Sequence, residues 1–177
     1  MSESGDAQKK LVVGWFSFTC CEDSTILFCE LLNDHFDQWK DLIEFRHVKA
    51  LRTDNKLEGL DVAFIEGAAS SPSQEAEMKE IRANAKAVVG IGNCACIGQP
   101  SNARNRFTDA QIDERIQWYY DNFDYGEVKK LADVIQVDFK VPGCPMKAET
   151  FLQTVDLALK KFGIIPDEAG EAATAGA

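Results

Sequence analysis

Residues 10–21 read KLVVGWFSFTCC. Nine residues, 10–18, are β-rich and almost continuously apolar, as a strand buried on both faces of a parallel sheet should be. The run ends in Thr19 and two adjacent cysteines. The next stretch, 24–39, changes period: Phe28, Leu32, Phe36 and Trp39 fall on one helical stripe, widened by Leu27 and Leu31. A strand that delivers polar or thiol groups to its carboxyl end and then gives way to a helix is half of a β-α-β unit. The rest of the chain repeats this alternation. Strands are expected at 42–48, 61–65, 87–91 and 134–141, and helices from Ser71 to about 85, from about 109 to 123, and over 148–162. Ser71-Pro72-Ser73 marks a helix start, with Glu75 and Glu77 close behind. A polar loop at 99–106 joins the fourth strand to the helix that follows it. The fold expected is α/β, a flavodoxin-like doubly wound parallel sheet. Its segments are a flexible N-terminus (1–9), one domain (10–165) and a disordered acidic tail (166–177).

The 177 residues carry 29 acids and 19 bases, a net charge of −10. That balance argues against nucleic acid or an anionic membrane as partner. No apolar run is long enough for a transmembrane segment, and the polar, acidic start lacks the layout of a secretory signal. A cytoplasmic location is expected, with thiols kept reduced.

The six cysteines carry the functional signal. Cys20-Cys21, Cys94-Ala95-Cys96 and Cys144 each follow an expected strand, and loops at the carboxyl ends of parallel strands gather on one edge. Cys29 lies within a helix and reads as packing. At the other positions, backbone-shaping residues surround the thiols: Gly92-Asn93 before Cys94, and Pro142-Gly143 and Pro145 around Cys144. A metal or cluster site is favoured over buried thiols. Zinc lacks its usual C-x2-C pairs, and the two histidines, His35 and His47, lie far from the thiols in sequence. Gly90-Ile91-Gly92 is not a dinucleotide fingerprint, because the third glycine would be Ala95. A stand-alone flavoprotein would need a Ser/Thr/Gly-rich phosphate loop after the first strand, where Glu22 and Asp23 stand instead.

Four blocks resemble a known family: Trp15…Thr19-Cys20-Cys21…Ile26-Leu27; Val62-Ala63-Phe64-Ile65-Glu66-Gly67-Ala68; Gly92-Asn93-Cys94-Ala95…Gly98-Gln99-Pro100-Ser101…Arg104-Asn105; and Pro142-Gly143-Cys144-Pro145. They resemble the small electron-transfer subunits of [NiFe] hydrogenases and the 20 kDa subunit of respiratory complex I. Within that group the likeness is to short cytoplasmic small subunits of soluble hydrogenases and sulfhydrogenases. The resemblance spans about residues 10–162.

It implies an electron-relay subunit of a hydrogenase-type oxidoreductase. Such a subunit is not itself catalytic and has no catalytic residue of its own. It carries one proximal [4Fe–4S] cluster between a partner's active site, nickel–iron in that family, and a further redox subunit. The implied ligands are Cys20, Cys21, Cys94 and Cys144. The family's usual C-x-x-C would put its second ligand at Ser24, so Ser24, Asp23 or Cys96 are the possible substitutes; the tandem cysteines are favoured because thiolates suit iron–sulfur clusters. Ser24 would then be a helix N-cap, and Cys96 would lie behind the ligands or at an interface. The implied partners are a hydrogenase-type large subunit and a diaphorase or ferredoxin-like subunit. The alternative is a zinc- or cluster-stabilised scaffold of such a complex without redox duty. Trp15 and Phe16 fit either a docking surface or plain core.

Overall fold

A computed structural model describes residues 9–167. The flexible start and most of the acidic tail expected from the sequence lie outside the described residues. The elements, in order, are β1 (Leu11–Ser17), α1 (Asp23–Leu42), β2 (Ile43–Val48), β3 (Leu60–Glu66), α2 (Pro72–Asn84), β4 (Ala85–Ile91), α3 (Gly92–Ile97), α4 (Glu114–Asn122), β5 (Phe139–Val141) and α5 (Ala148–Lys161). Short 3-10 turns occupy Ser101–Arg106, Asp109–Gln111 and Leu131–Asp133. The five strands form one sheet in the order β2-β1-β3-β4-β5, and every pairing is parallel. This is the flavodoxin-like order, with its switch point between β1 and β3.

Side chains alternate across the sheet and feed two cores. Val13, Trp15, Val62, Phe64, Val89 and Ile91 pack with Phe28, Trp39 and Phe151 from α1 and α5. Phe16, Ala63, Ile65 and Val88 face the other way, against Met78 and Ile81 of α2. Trp15 and Phe16 are therefore both core, on opposite faces, and neither is a docking surface. Phe151 is the hub of the first core. Its ring lies 5.5 Å from Phe64, 5.8 Å from Trp15, 6.1 Å from Phe28 and 6.4 Å from Trp39, each contact edge-to-face.

The helix start at Ser71 is built as the sequence indicates: its hydroxyl accepts from the Gln74 amide at 3.2 Å, with Pro72 in the first turn. Two segments differ from expectation. The last strand is not 134–141 but Phe139–Val141. At its entrance the Asp138 carboxylate accepts from the Val88 amide (2.7 Å) and from Arg82 (2.7 Å). A side chain thus takes a donor that a longer ladder would have used. Ile135 is buried and Val134 and Val137 partly buried against the α2 core, as an irregular segment rather than as strand. The helix expected over 109–123 is broken before Asp113. That carboxylate caps α4 by accepting from the amides of Arg115 and Ile116 at 3.0 and 2.9 Å. The short helix α3 carries no apolar period of its own and is not legible in the sequence.

Phe151→Ala should cost about 3–5 kcal/mol, the range for truncating a fully buried aromatic. Urea unfolding followed by tryptophan fluorescence will read it, with a lowered midpoint and an unchanged slope.

Candidate functional site at the carboxyl edge of the sheet

The carboxyl ends of β1, β3, β4 and β5 bring four loops together, and the sequence motifs turn out to be their fasteners. After β1 the chain bridges to the loop after β3, with Thr19 and Ala68 exchanging amide-to-carbonyl bonds at 3.1 and 3.0 Å. Glu22 then adopts a left-handed conformation, φ 63°, and leads into α1 without capping it with its own side chain. The cap comes from β3. Glu66, almost wholly buried, accepts from the amides of Ser24 (3.1 Å) and Thr25 (3.0 Å) and from the Thr25 hydroxyl (2.7 Å). A carboxylate at a helix N-terminus satisfies unpaired amides and complements the helix dipole. The Thr25 oxygen in turn accepts from the Trp15 indole at 2.8 Å, which gives a buried donor its partner.

Ser24 is not the N-cap expected of it. It sits in the first turn, buried, and its hydroxyl accepts from the Met146 amide at 3.2 Å, tying α1 to the loop after β5. That loop is also clasped to α3. The Asn93 amide donates to the Gly143 carbonyl (2.7 Å), and the Asn93 side chain accepts from the Gly143 amide (2.9 Å). Gly143 has φ 130°, and a Cβ there would lie 2.4 Å from the Pro145 carbonyl oxygen, so no other residue fits. Arg104 reaches the carbonyls of Ser70 (3.2 Å) and Gly126 (3.0 Å), and Asn105 makes a reciprocal pair with the backbone of Val128 (2.8 and 2.9 Å). The sequence marks these residues as motif members without indicating that they act as braces.

The thiols lie along this edge, but not as ligands of one centre. Cys20 and Cys94 join a small apolar cluster with Ala68 and Val128. Cys20 turns its sulfur toward its own loop, donating to the Phe18 carbonyl at 3.6 Å. The Ser101 hydroxyl lies 3.2 Å from the buried Cys94 sulfur. Cys21 and Cys144 are exposed. Cys96 is buried and donates to the Gly90 carbonyl at 3.4 Å, away from the others. Cys29 is half-buried against the first core, as a packing residue.

Among the described residues, no three His, Cys, Asp or Glu side chains are grouped so as to hold a metal ion. Burial, reinforced by the negative charge of Glu66 and by the neighbouring Cys94 and Cys21, pushes the Cys20 thiol up to about 12. Burial pushes Cys96 up to about 11, partly opposed by Lys140. At Cys21 the Asp23 amide pulls downward, but partial burial and the Asp23 carboxylate carry the thiol above its ordinary value. What decides against a cluster is the grouping: among the described residues no three such side chains are placed to hold a metal ion. The expected [4Fe–4S] cluster, the relay through it, the metal-binding assignment and the zinc- or cluster-stabilised scaffold are therefore all overturned. The donors present do not fit such a group, and no chemistry is routed through one.

The family model of the NADH ubiquinone oxidoreductase 20 Kd subunit matches residues 20–158, nearly all of this framework. The chain belongs to that family. Relatives include a subunit of the F420-non-reducing hydrogenase of Methanothermobacter marburgensis, 32% identical over 117 residues, covering 57% of this chain and 37% of the relative. Sulfhydrogenase 2 subunit delta of Pyrococcus furiosus is 26% identical over 157 residues, covering 82% of this chain and 61% of the relative. This 20 Kd family member thus spans well under half the length of the first of them. In fold it is similar to a chain of an NAD+-reducing [NiFe]-hydrogenase, with a TM-score of 0.69 at 19% identity, covering 85% of this chain and 92% of that one. It is also similar to a chain of the actinobacterial-type NiFe-hydrogenase of Ralstonia eutropha, with a TM-score of 0.59 at 16% identity, covering 90% and 56%. Among the described residues, no helix is long and apolar enough to cross a membrane.

Two measurements test this description of the edge. Ser24→Ala leaves the Met146 amide buried without an acceptor and should cost roughly 1–3 kcal/mol, read by thermal and urea unfolding. Alkylation with iodoacetamide at pH 8, resolved by peptide mass spectrometry, should modify exposed Cys21 and Cys144 first. A thiol at about 12 has only about one part in ten thousand thiolate at that pH, so Cys20 should lag by orders of magnitude. The raised thiol also sets a sign for stability: its contribution is whole below pH 9 and is lost as pH rises toward 12, because the unfolded thiol ionises first.

Proposed function

We propose that this chain is the small, non-catalytic subunit of a hydrogenase-type oxidoreductase and serves that complex's electron transfer as its structural partner. The observation that carries this reading is the family match over residues 20–158, which takes in nearly all of the four sequence blocks of the framework. Its relatives support it: they are subunits of F420-non-reducing and coenzyme F420 hydrogenases and a sulfhydrogenase subunit delta. On this reading the chemistry belongs to a larger partner chain. What the present chain supplies from its own residues is a rigid edge: Glu66 fixes the start of α1, Ser24 and Asn93 lock the loop after β5, and Arg104 and Asn105 lock the segment between α3 and β5. A preformed surface of this kind lowers the ordering cost of assembly.

The test is anaerobic purification of the tagged full-length chain from its native host, paired with deletion of its gene. A larger catalytic chain should co-purify in stoichiometric amount, and deletion should abolish hydrogen-dependent dye reduction by that chain's complex. Recovery of the tagged chain alone, with hydrogen-dependent reduction untouched by the deletion, would refute the reading.

A further inference from the structure

The register between β1 and β2 slips once: Val13 faces Phe45, but the next residue, Gly14, faces His47. Arg46 is the extra residue of a β-bulge. In a regular strand Phe45 and His47 would share a face. The bulge parts them. Phe45 stays with the first core, while the His47 ring stacks on Phe16 of the opposite face at 4.4 Å. Val48 then returns to the first core. Gly14, across from the bulge, leaves room for the Phe16 ring, since a Cβ there would lie 2.6 Å from it. Bulges of this kind re-aim a single side chain.

The re-aimed histidine is held dry. Both of its ring nitrogens are buried, and neither has a hydrogen-bond partner. An imidazolium would bring two N–H donors and a charge into the same place, at a much larger desolvation cost than the neutral ring. Burial holds His47 below the ordinary imidazole value of 6.5, and Lys49, just after β2, adds to this. Glu77 of α2 pulls the other way, as does the nearby Lys56 backbone, which makes no hydrogen bond to the ring. Glu22, at the start of α1, is the remaining charge on the cleft beside the ring. A base held down in this way favours the closed form above pH 6.5. That contribution is lost as pH falls, because an opened form takes up the proton first.

What closes over His47 is weakly held. Strand β2 lies at the sheet edge, paired only with β1. The segment after it, 49–59, is exposed except at Asn55 and Leu57. Its ties to β2 are polar: the Val48 amide donates to the Asn55 side chain at 2.7 Å, and the Lys56 amide to the Arg46 carbonyl at 3.2 Å. A segment with so few buried apolar contacts opens locally at low cost. His47 and Lys49 wall one side of a cleft of about 340 Å³ at the carboxyl ends of β1 and β2, with Ser17, Glu22 and Glu77 also lining it.

We propose that His47 is an acid-sensitive latch. Neutral, it stacks on Phe16 and pins the outer end of β2 and segment 49–59 to the sheet; protonated, it leaves the Phe16 ring, the segment comes away and the cleft opens. The device rests on the fold and not on the small-subunit reading.

Hydrogen exchange of the full-length chain, read by mass spectrometry and corrected for the intrinsic pH dependence of exchange, tests it. The range is about pH 7.5 to about 5.5, where imidazole titrates. Protection over 46–60 should fall below pH 6.5 by up to about tenfold per pH unit, the limit for one proton taken up on opening, while β3 and β4 stay protected. His47→Phe keeps a ring on Phe16 and cannot take the proton, so its protection should not change with pH. Lys49→Gln should shrink the acid loss and Glu77→Gln should enlarge it, because the first removes a charge that opposes the imidazolium and the second a charge that favours it. A purely structural role would move neither. His35, the other histidine, stacks on Trp39, and His35→Gln should leave the profile unchanged. Flat protection in the parent, or an acid loss that persists in His47→Phe or vanishes in His35→Gln, overturns the proposal. If His47→Phe does not fold, opposite shifts from Lys49→Gln and Glu77→Gln support the latch, and profiles identical to the parent's overturn it.

Discussion

Everything at the carboxyl edge depends on one buried carboxylate. Glu66 ends the central strand β3 and accepts three hydrogen bonds from the first turn of α1. That one group fixes where the first helix begins relative to the sheet, and so where the loop carrying Cys20 and Cys21 must run. It also sets the local potential. A negative charge held there by helix amides opposes a second negative charge on Cys20 a short way off. At Cys20 burial is the larger cause of the raised thiol, and the interaction that builds the edge adds to it.

The fold is legible because its determinants are local. Residues 10–18 and 61–65 are apolar enough to be central parallel strands and nothing else, and the switch to a 3.6-residue period after residue 24 can only be a crossover helix. The last strand is overestimated because Val134, Ile135, Val137 and Val141 look like strand composition. Asp138 interrupts them with a side-chain bond to Val88 that no sequence period encodes. The break before α4 has the same origin, a carboxylate at Asp113 that caps rather than continues. Trp15 and Phe16 cannot be assigned from pattern alone, since a fully buried strand has no outward face to read.

The site is legible in position but not in chemistry. Adjacent cysteines, a Gly-Asn-Cys and a Pro-Gly-Cys-Pro do gather on one edge. Sequence spacing, however, says where a Cα goes and not where a sulfur points. Cys20 bonds back to its own loop, Cys96 turns toward the sheet, and Cys21 and Cys144 face solvent. The residues that hold the edge together, Ser24, Asn93, Arg104 and Asn105, are visible only as members of a resemblance. Their work is done through backbone groups 22 to 122 positions away, which no local reading reaches.

The reciprocal pair between the Asn105 side chain and the backbone of Val128 closes the stem of everything between them. Above that stem the chain leaves the sheet, forms α4 and returns, while Val128 re-enters the packed structure. The excursion is closed at its base by this pair, and the Gly126 amide within it donates to the Ser70 carbonyl of the loop after β3 at 2.7 Å. Lengthening a closed loop adds only about 0.6 kcal/mol of entropy per doubling. A segment stemmed in this way can be exchanged, shortened or extended at little cost to the sheet, so the same framework can acquire a new exterior by changing one insert. Asn105 is, in that sense, the boundary between the part of this molecule that must stay constant and the part that is free to diverge.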